Sequence, residues 1–132
     1  MALSRDQAER ALAAATARAR ELGVRVGISV VDERGYTVAA ARMDGTRPFA
    51  VDVAAGKARA AALFGLPSAE IEVSEPVFLA AAELHGGRLV RSRGGVPVRV
   101  RGELCGGIGA GGASAAEDEL IAGAGADSLA GG

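Results

Sequence analysis

The spacing of apolar residues changes along the first half of the chain from a helical to an extended repeat. Residues 4–22 carry apolar side chains at three- and four-residue intervals, which predicts an amphipathic helix capped by Ser4 and ended by Gly23. Residues 24–32 and 36–43 are rich in β-branched and small apolar residues and flank a polar turn that contains glycine. This arrangement predicts a β-hairpin.

The second half continues with helices, strands and a final helix. Pro48 and the alanine-rich run after it predict a helix that ends at Phe64, and residues 74–85 predict a shorter helix. Three apolar runs separated by glycine turns predict three strands, at residues 88–93, 96–100 and 103–110. A last helix begins after Ser114, because Glu117 three residues later completes a capping box.

These elements give the order α-β-β-α-α-β-β-β-α. A chain of 132 residues is long enough for one hydrophobic core and too short for two, so we expect a single domain over residues 1–132. The fold class that follows is α/β in the broad sense, or α+β, with strands in two groups between helices.

The composition changes this picture in one respect. Hydrophobic residues make up 49% of the chain, yet aromatic residues make up only 3%, and there are 20 glycines and no tryptophan. Small side chains bury little apolar area each, so a monomer would be only modestly stable. We therefore expect a homo-oligomer in which a subunit interface completes the core.

Charge and cysteine content exclude several classes of protein. The net charge is −1, and the basic segment 88–101 has no interleaved aromatic residues, so a nucleic-acid partner is not expected. One cysteine and one histidine make an internal disulfide or a zinc site equally unexpected. No stretch has the form of a signal peptide or a membrane span, which predicts a cytoplasmic protein without a membrane partner.

Glycines dominate the stretch before the last helix. Gly107 to Gly112 satisfy the pattern G-x-G-x-x-G, which is typical of dinucleotide-binding loops. No second parallel strand follows, and the acidic residues 117–119 at the helix start would repel a pyrophosphate. We expect these glycines to permit close packing and a tight strand-to-helix turn. Gly56, inside a predicted helix, likewise predicts a close neighbour.

Three charged residues are candidates for catalysis. Lys57 is the only lysine beside 14 arginines, and a desolvated lysine acts as a base or forms a Schiff base, which arginine does not. An ordinary solvated lysine on a helix is the alternative. Arg42 and Asp44 fall on the same side of a strand end, where they pair with each other or Arg42 holds a ligand carboxylate in a fork.

Two further residues are candidates for binding a cofactor. His85 is the only histidine, and imidazole is the side-chain type that most readily changes charge near neutral pH. It lies beside two glycines at a helix end, where it takes part in a site or simply caps the terminal carbonyls. Cys105, in a predicted strand, is either a ligand or a small buried hydrophobic residue.

Three segments together resemble a known family. They are GISVVDERGYTVAAARMDGT, DVAAGKARAAALFG and GGVPVRVRGELCGGIGAGGASAAEDELIAGAG, and the likeness extends from about Leu12 to Ala126. The chain resembles the GlcG/HbpS-like haem-binding proteins, whose fold also occurs as the C-terminal domain of PduO-type corrinoid adenosyltransferases. The resemblance implies a profilin-like domain with a five-stranded antiparallel sheet flanked by helices, assembly into octamers, and binding of haem or another tetrapyrrole.

Two functional hypotheses remain open. By the family resemblance, the protein carries or senses a tetrapyrrole, with His85 or Cys105 as ligand and arginines such as Arg42 pairing with its propionates. By the lone lysine, it is a cofactor-free enzyme acting on a carboxylated metabolite in a biosynthetic or hydroxy-acid pathway. Arg42 would then hold the carboxylate and Lys57 would move a proton or attack a carbonyl, with Asp44 as a further catalytic candidate.

Overall fold

The computed structural model describes residues 2–131, which form one four-stranded sheet and four α-helices. In chain order the elements are α1 (Arg5–Leu22), β1 (Gly27–Asp32), β2 (Thr37–Arg42), α2 (Ala50–Phe64), α3 (Glu75–Leu84), β3 (Gly95–Val100), β4 (Glu103–Gly111) and α4 (Ala115–Asp127), with a 3₁₀ turn at Ser68–Glu70. All neighbouring strands are antiparallel, in the order β2-β1-β4-β3. The α+β class is confirmed.

The prediction of five strands is wrong, because residues 88–93 form no strand. Their backbone bonds to other elements instead: the Val90 amide donates to the Gly56 carbonyl of α2 at 3.1 Å, and the Ser92 carbonyl accepts from the Ser68 hydroxyl at 2.6 Å. Leu89 is buried in a small core beside α3. The apolar side chains that suggested a strand therefore cover helices rather than extend the sheet.

The two faces of the sheet are covered differently. Ile28 and Val30 of β1 point into the main core, which includes alanines of α1 and Ile121 of α4. The alternate residue Val31 packs on the other face against α2, beside Ala58 and Ala62. The period-2 alternation of a strand thus separates the α1/α4 layer from the α2 layer.

The glycines of β4 face the backbone of α2. A Cβ atom at Gly107 or Gly109 would collide with the carbonyl oxygen of Ala58 or Ala54, respectively, and one at Gly111 would lie 3.0 Å from that of Ala50. Two residues of strand advance about 6.8 Å and four residues of helix about 6 Å, so the two repeats stay nearly in step. The packing role predicted for these glycines is confirmed, and they lie in a buried strand.

Local signals in the sequence place other features correctly. Ser114 and Glu117 form the predicted capping box: the Ser114 hydroxyl accepts from the Glu117 amide at 3.2 Å, and the Glu117 carboxylate accepts from the Ser114 amide at 3.1 Å. Hydrogen bonding to the Ser114 side chain and, to a lesser degree, to the Ser114 backbone amide holds the pKa of the Glu117 carboxyl below its ordinary value. Gly56 also has the expected neighbour, because an added Cβ would lie 2.6 Å from Val90 Cγ2.

Among residues 2–131, none of the helices is both long and apolar enough to cross a membrane.

Candidate ligand-binding site

A groove runs along α2, between the β1–β2 turn and the segment after α3. It consists of two pockets of about 510 and 390 Å³ that meet at Arg59 and Arg88. We call it the α2 groove; its lining residues are Glu33, Arg34, Gly35, Tyr36, Thr37, Asp52, Val53, Ala55, Gly56, Arg59, Leu63, His85, Gly87, Arg88 and Val90. Each pocket falls within the size range usual for small-molecule sites.

Arg59 holds the walls of the α2 groove together. Its Nε donates to the Gly35 carbonyl at 2.8 Å, and its Nη1 donates to the Arg88 carbonyl at 2.9 Å. Arg88 in turn donates through Nε to the His85 carbonyl at 3.1 Å. Gly35 has a φ of 88° and would place a Cβ 2.7 Å from Arg59 Cγ, so only glycine suits this turn. The turn and the segment after α3 are thereby fixed relative to α2.

The α2 groove has a concentrated positive charge at the point where its two pockets meet. Burial and, to a lesser degree, the charge of Arg88 lower the pKa of Arg59 from its ordinary value. Within residues 2–131, neither guanidinium has a carboxylate within 4.0 Å. The carboxylates of Asp52 and Glu33 also line the groove. Two neighbouring guanidiniums without a paired carboxylate favour an anionic ligand group.

The smaller pocket contains the groups able to ligate or orient a ligand. His85 follows the last residue of α3, where its amide caps the helix, and its half-buried side chain lines the pocket with Tyr36. Glu33 Oε2 is buried there without a hydrogen-bond partner in the described structure. Of these lining residues, His85 was predicted from the sequence, whereas Glu33, Tyr36, Arg59 and Arg88 were not. The close approach predicted at Gly56 was the one available signal, since Gly56 and its neighbour Val90 both line the groove.

Lys57 lies outside the α2 groove, in a buried ion pair. It is 4% exposed, and its Nζ donates to Asp118 Oδ2 at 3.2 Å and to the Ala110 carbonyl at 3.0 Å. Asp118 also accepts from the Ala113 amide at 3.1 Å. Burial raises the pKa of Asp118, while the charge of Lys57 and its hydrogen bond partly oppose the rise. The pair joins α2 to α4; a catalytic role for Lys57 stays a prediction.

Arg42 and Asp44 line a groove that contains neither Lys57 nor His85. They lie at the end of β2, in a pocket shared with Arg20 and Arg25. No ion pair within 4.0 Å joins Arg42 to Asp44 among residues 2–131. The structure thus does not bring the three candidate catalytic residues, Lys57, Arg42 and Asp44, into one pocket.

Cys105 lies inside the main core. Its side chain is inaccessible to solvent, and its Sγ donates to the Val98 carbonyl at 3.5 Å. Burial raises the pKa of the thiol, which favours the neutral form over the thiolate that binds metal. Cys105 is absent from the lining of the α2 groove, so the structure separates it from His85.

Comparison with known proteins defines the class. The family model for haem degrading protein HbpS-like matches residues 3–127, so the chain belongs to the HbpS-like family. It is 32% identical over 116 residues to an uncharacterized 15.0 kDa protein in the dhaT-dhaS intergenic region of Citrobacter freundii, an overlap of 83% of this chain and 79% of that protein.

Solved structures of two similar proteins support the assignment. A double mutant of Streptomyces reticuli HbpS has a TM-score of 0.83 and 33% identity, with 98% of this chain and 88% of that chain covered. The PduOC:haem complex has a TM-score of 0.84 and 28% identity, with 98% of this chain and 96% of that chain covered. The predicted family resemblance is confirmed.

Proposed function

We propose that the protein binds haem or another tetrapyrrole in the α2 groove, as a carrier or sensor. The observation that carries the proposal is the position of His85, the only imidazole in the chain, in the same groove as the paired guanidiniums of Arg59 and Arg88. An imidazole is a common axial ligand of haem iron, and arginine forks suit carboxylates. Membership of the HbpS-like family and the likeness to PduOC, solved with haem, support it.

The lining of the α2 groove fits this group. The imidazole of His85 would hold the iron, and Arg59 and Arg88 would pair with the propionate carboxylates. Val53, Val90 and the exposed ring of Tyr36 offer apolar surface to the macrocycle. When bound, haem supplies ligand-binding and one-electron chemistry at its iron.

The buried Glu33 Oε2 gives the pocket a further polar group. It lacks a hydrogen-bond partner among residues 2–131, and an unsatisfied buried carboxylate oxygen costs on the order of 1–3 kcal/mol or more. A hydrogen-bond donor on a bound ligand, an ordered water or the ring N–H of His85 would satisfy this oxygen. If the donor is His85, Glu33 would orient the imidazole, as second-layer carboxylates do for many metal-bound histidines.

A haemin titration read at the Soret band tests the proposal. The wild-type protein should give a saturable spectral shift, and His85→Ala should change the ligation spectrum and weaken binding by tenfold or more. Arg10→Gln/Arg47→Gln, at two exposed positions outside the α2 groove, is the control that removes the same two charges as an Arg59→Gln/Arg88→Gln variant. Of these two double variants, only Arg59→Gln/Arg88→Gln should weaken binding.

A second measurement does not depend on how the variants fold. Haemin dimethyl ester lacks free propionates, so the wild-type protein should bind it more weakly than haemin. The absence of any saturable shift would overturn the proposal, as would equal binding by wild type, His85→Ala and the double arginine variant.

We also propose that the protein works as a homo-oligomer. The small-residue core supports this, since alanine and valine side chains supply most of the buried apolar residues. Large apolar side chains that remain exposed on α3 supply a surface for association.

A further inference from the structure

A second groove lies at the end of β2, separate from the α2 groove. We call it the arginine groove; it has a volume of about 440 Å³ and is lined by Thr16, Arg20, Arg25, Ala41, Arg42, Met43 and Asp44. None of these residues lines the α2 groove. A ligand of the arginine groove would therefore contact a different set of residues from the proposed haem.

Three parts of the fold bring the guanidiniums together. Arg20 lies in the last turn of α1, one turn after Thr16. The sheet register pairs Gly27 with Arg42, and the Met43 amide donates to the Val26 carbonyl at 3.0 Å, which places Arg25 beside the end of β2. These backbone contacts fix where the three side chains attach: on the last turn of α1, on the segment just before β1 and at the end of β2.

The side chain of Arg25 lies against the Asp44–Gly45 turn. Gly45 has a φ of 85°, and its missing Cβ would collide with Arg25 Nη1. Any other residue at position 45 would strain the backbone, and the flexible end of the Arg25 side chain would have to shift to make room for its Cβ. The glycine therefore leaves room for Arg25 to lie over the turn at the edge of the groove.

The charges in the arginine groove are unbalanced. Three guanidiniums line it together with a single carboxylate, that of Asp44. Within residues 2–131, none of the three arginines has a carboxylate within 4.0 Å. Like charges held in one groove repel one another, and an anion that accepts from several of them removes that repulsion. The excess of two positive charges matches a ligand with two negative charges.

We propose that the arginine groove binds a small dianion, either a phosphate monoester or a dicarboxylate. The planar fork of arginine donates two parallel hydrogen bonds to a phosphate or a carboxylate, so three forks around one groove accommodate several acceptor oxygens at once. The hydroxyl of Thr16 already donates to the Leu12 carbonyl at 2.8 Å, and its oxygen stays available as an acceptor for a ligand hydroxyl.

Titration calorimetry with inorganic phosphate, malonate and acetate tests this proposal. At least one of the two dianions, phosphate or malonate, should bind saturably at low chloride and at least tenfold more tightly than acetate. Phosphate alone would assign the site to phosphate esters, and malonate alone to dicarboxylates. Arg42→Gln and Arg20→Gln should each weaken binding about tenfold, the effect of one charge-assisted hydrogen bond.

Two controls separate a site from general charge. Arg10 lies on α1 outside the arginine groove, so Arg10→Gln should leave binding of the dianion unchanged. Arg42→Lys keeps the charge and loses the fork, so it should bind more weakly than wild type and more tightly than Arg42→Gln; it also serves if Arg20→Gln fails to fold. His85→Ala should retain dianion binding. The proposal fails if neither dianion binds saturably, or if Arg42→Gln and Arg10→Gln behave alike.

Discussion

At the scale of single residues, the structure gives Lys57 a partner that the sequence does not reveal. Lys57 is unusual because it is the only lysine beside 14 arginines. Its partner Asp118 lies 61 positions further along the chain, so the sequence around Lys57 does not indicate the pair. The side chains of the pair are only 6% and 4% exposed. Removing one member of a buried pair leaves an uncompensated charge, whereas removing both leaves apolar packing.

Lys57→Met should therefore destabilise the protein by about 3–5 kcal/mol, and Lys57→Met/Asp118→Leu should recover most of the loss. Urea unfolding at neutral pH measures both changes. Without Lys57, burial raises the pKa of Asp118 further above its unfolded value, so the stability lost by Lys57→Met should return as the pH falls through the folded-state pKa. A Lys57→Met protein of wild-type stability at pH 7 would contradict this account.

Residue type and position within an element separate the predictable site residues from the others. His85 was selected because it is the only histidine, whereas Arg59 and Arg88 are two of 14 arginines. Their meeting depends on a contact between residues 29 positions apart, and no local pattern encodes it. Arg42 was selected from its place at a strand end, but its neighbours Arg20 and Arg25 come from other elements.

At the scale of elements, predictions succeeded where local chemistry decides the structure. Ser114 with Glu117 marks a helix start within four residues, and the hairpin of β1 and β2 follows from alternation and a turn. Residues 88–93 have the same local signals as a strand, but their backbone bonds to α2 and to the 3₁₀ turn. Tertiary packing decided that segment, so local pattern did not predict it.

The close contact of β4 with α2 makes a prediction about glycine. Gly109→Ala should destabilise the protein by about 1–3 kcal/mol, because the new Cβ collides with the Ala54 carbonyl of α2 and backbone has to move. Gly123→Ala is the matched control, since Gly123 lies inside α4 with nothing within 4 Å of an added Cβ. It should stabilise by up to about 1 kcal/mol. Equal thermal midpoints for the two variants would argue against backbone-to-backbone packing.

At the scale of the whole molecule, α3 presents apolar side chains to solvent. Val77 is 55% and Leu84 is 87% exposed, and a spacing of seven residues places them on the same face of the helix. Leu79 is also 56% exposed. This surface is where we expect a second copy of the chain to pack.

Light scattering coupled to size-exclusion chromatography measures the assembly. At micromolar concentration the wild-type protein should elute as an oligomer, and Val77→Glu/Leu84→Glu should shift it to a smaller species, because both substitutions place charge on the exposed face of α3. A charged pair elsewhere, Ala13→Glu/Ala17→Glu on the exposed side of α1, should leave the size unchanged. A monomeric wild-type protein would refute the expectation of an oligomer.

The central claim, that the α2 groove binds haem through His85 with Arg59 and Arg88 on the propionates, is tested most directly by a crystal structure of the protein with haemin. We expect the macrocycle in the α2 groove, the iron within bonding distance of the His85 imidazole, and at least one propionate paired with Arg59 or Arg88. Haem bound elsewhere, or held without any of these three side chains, would contradict the account.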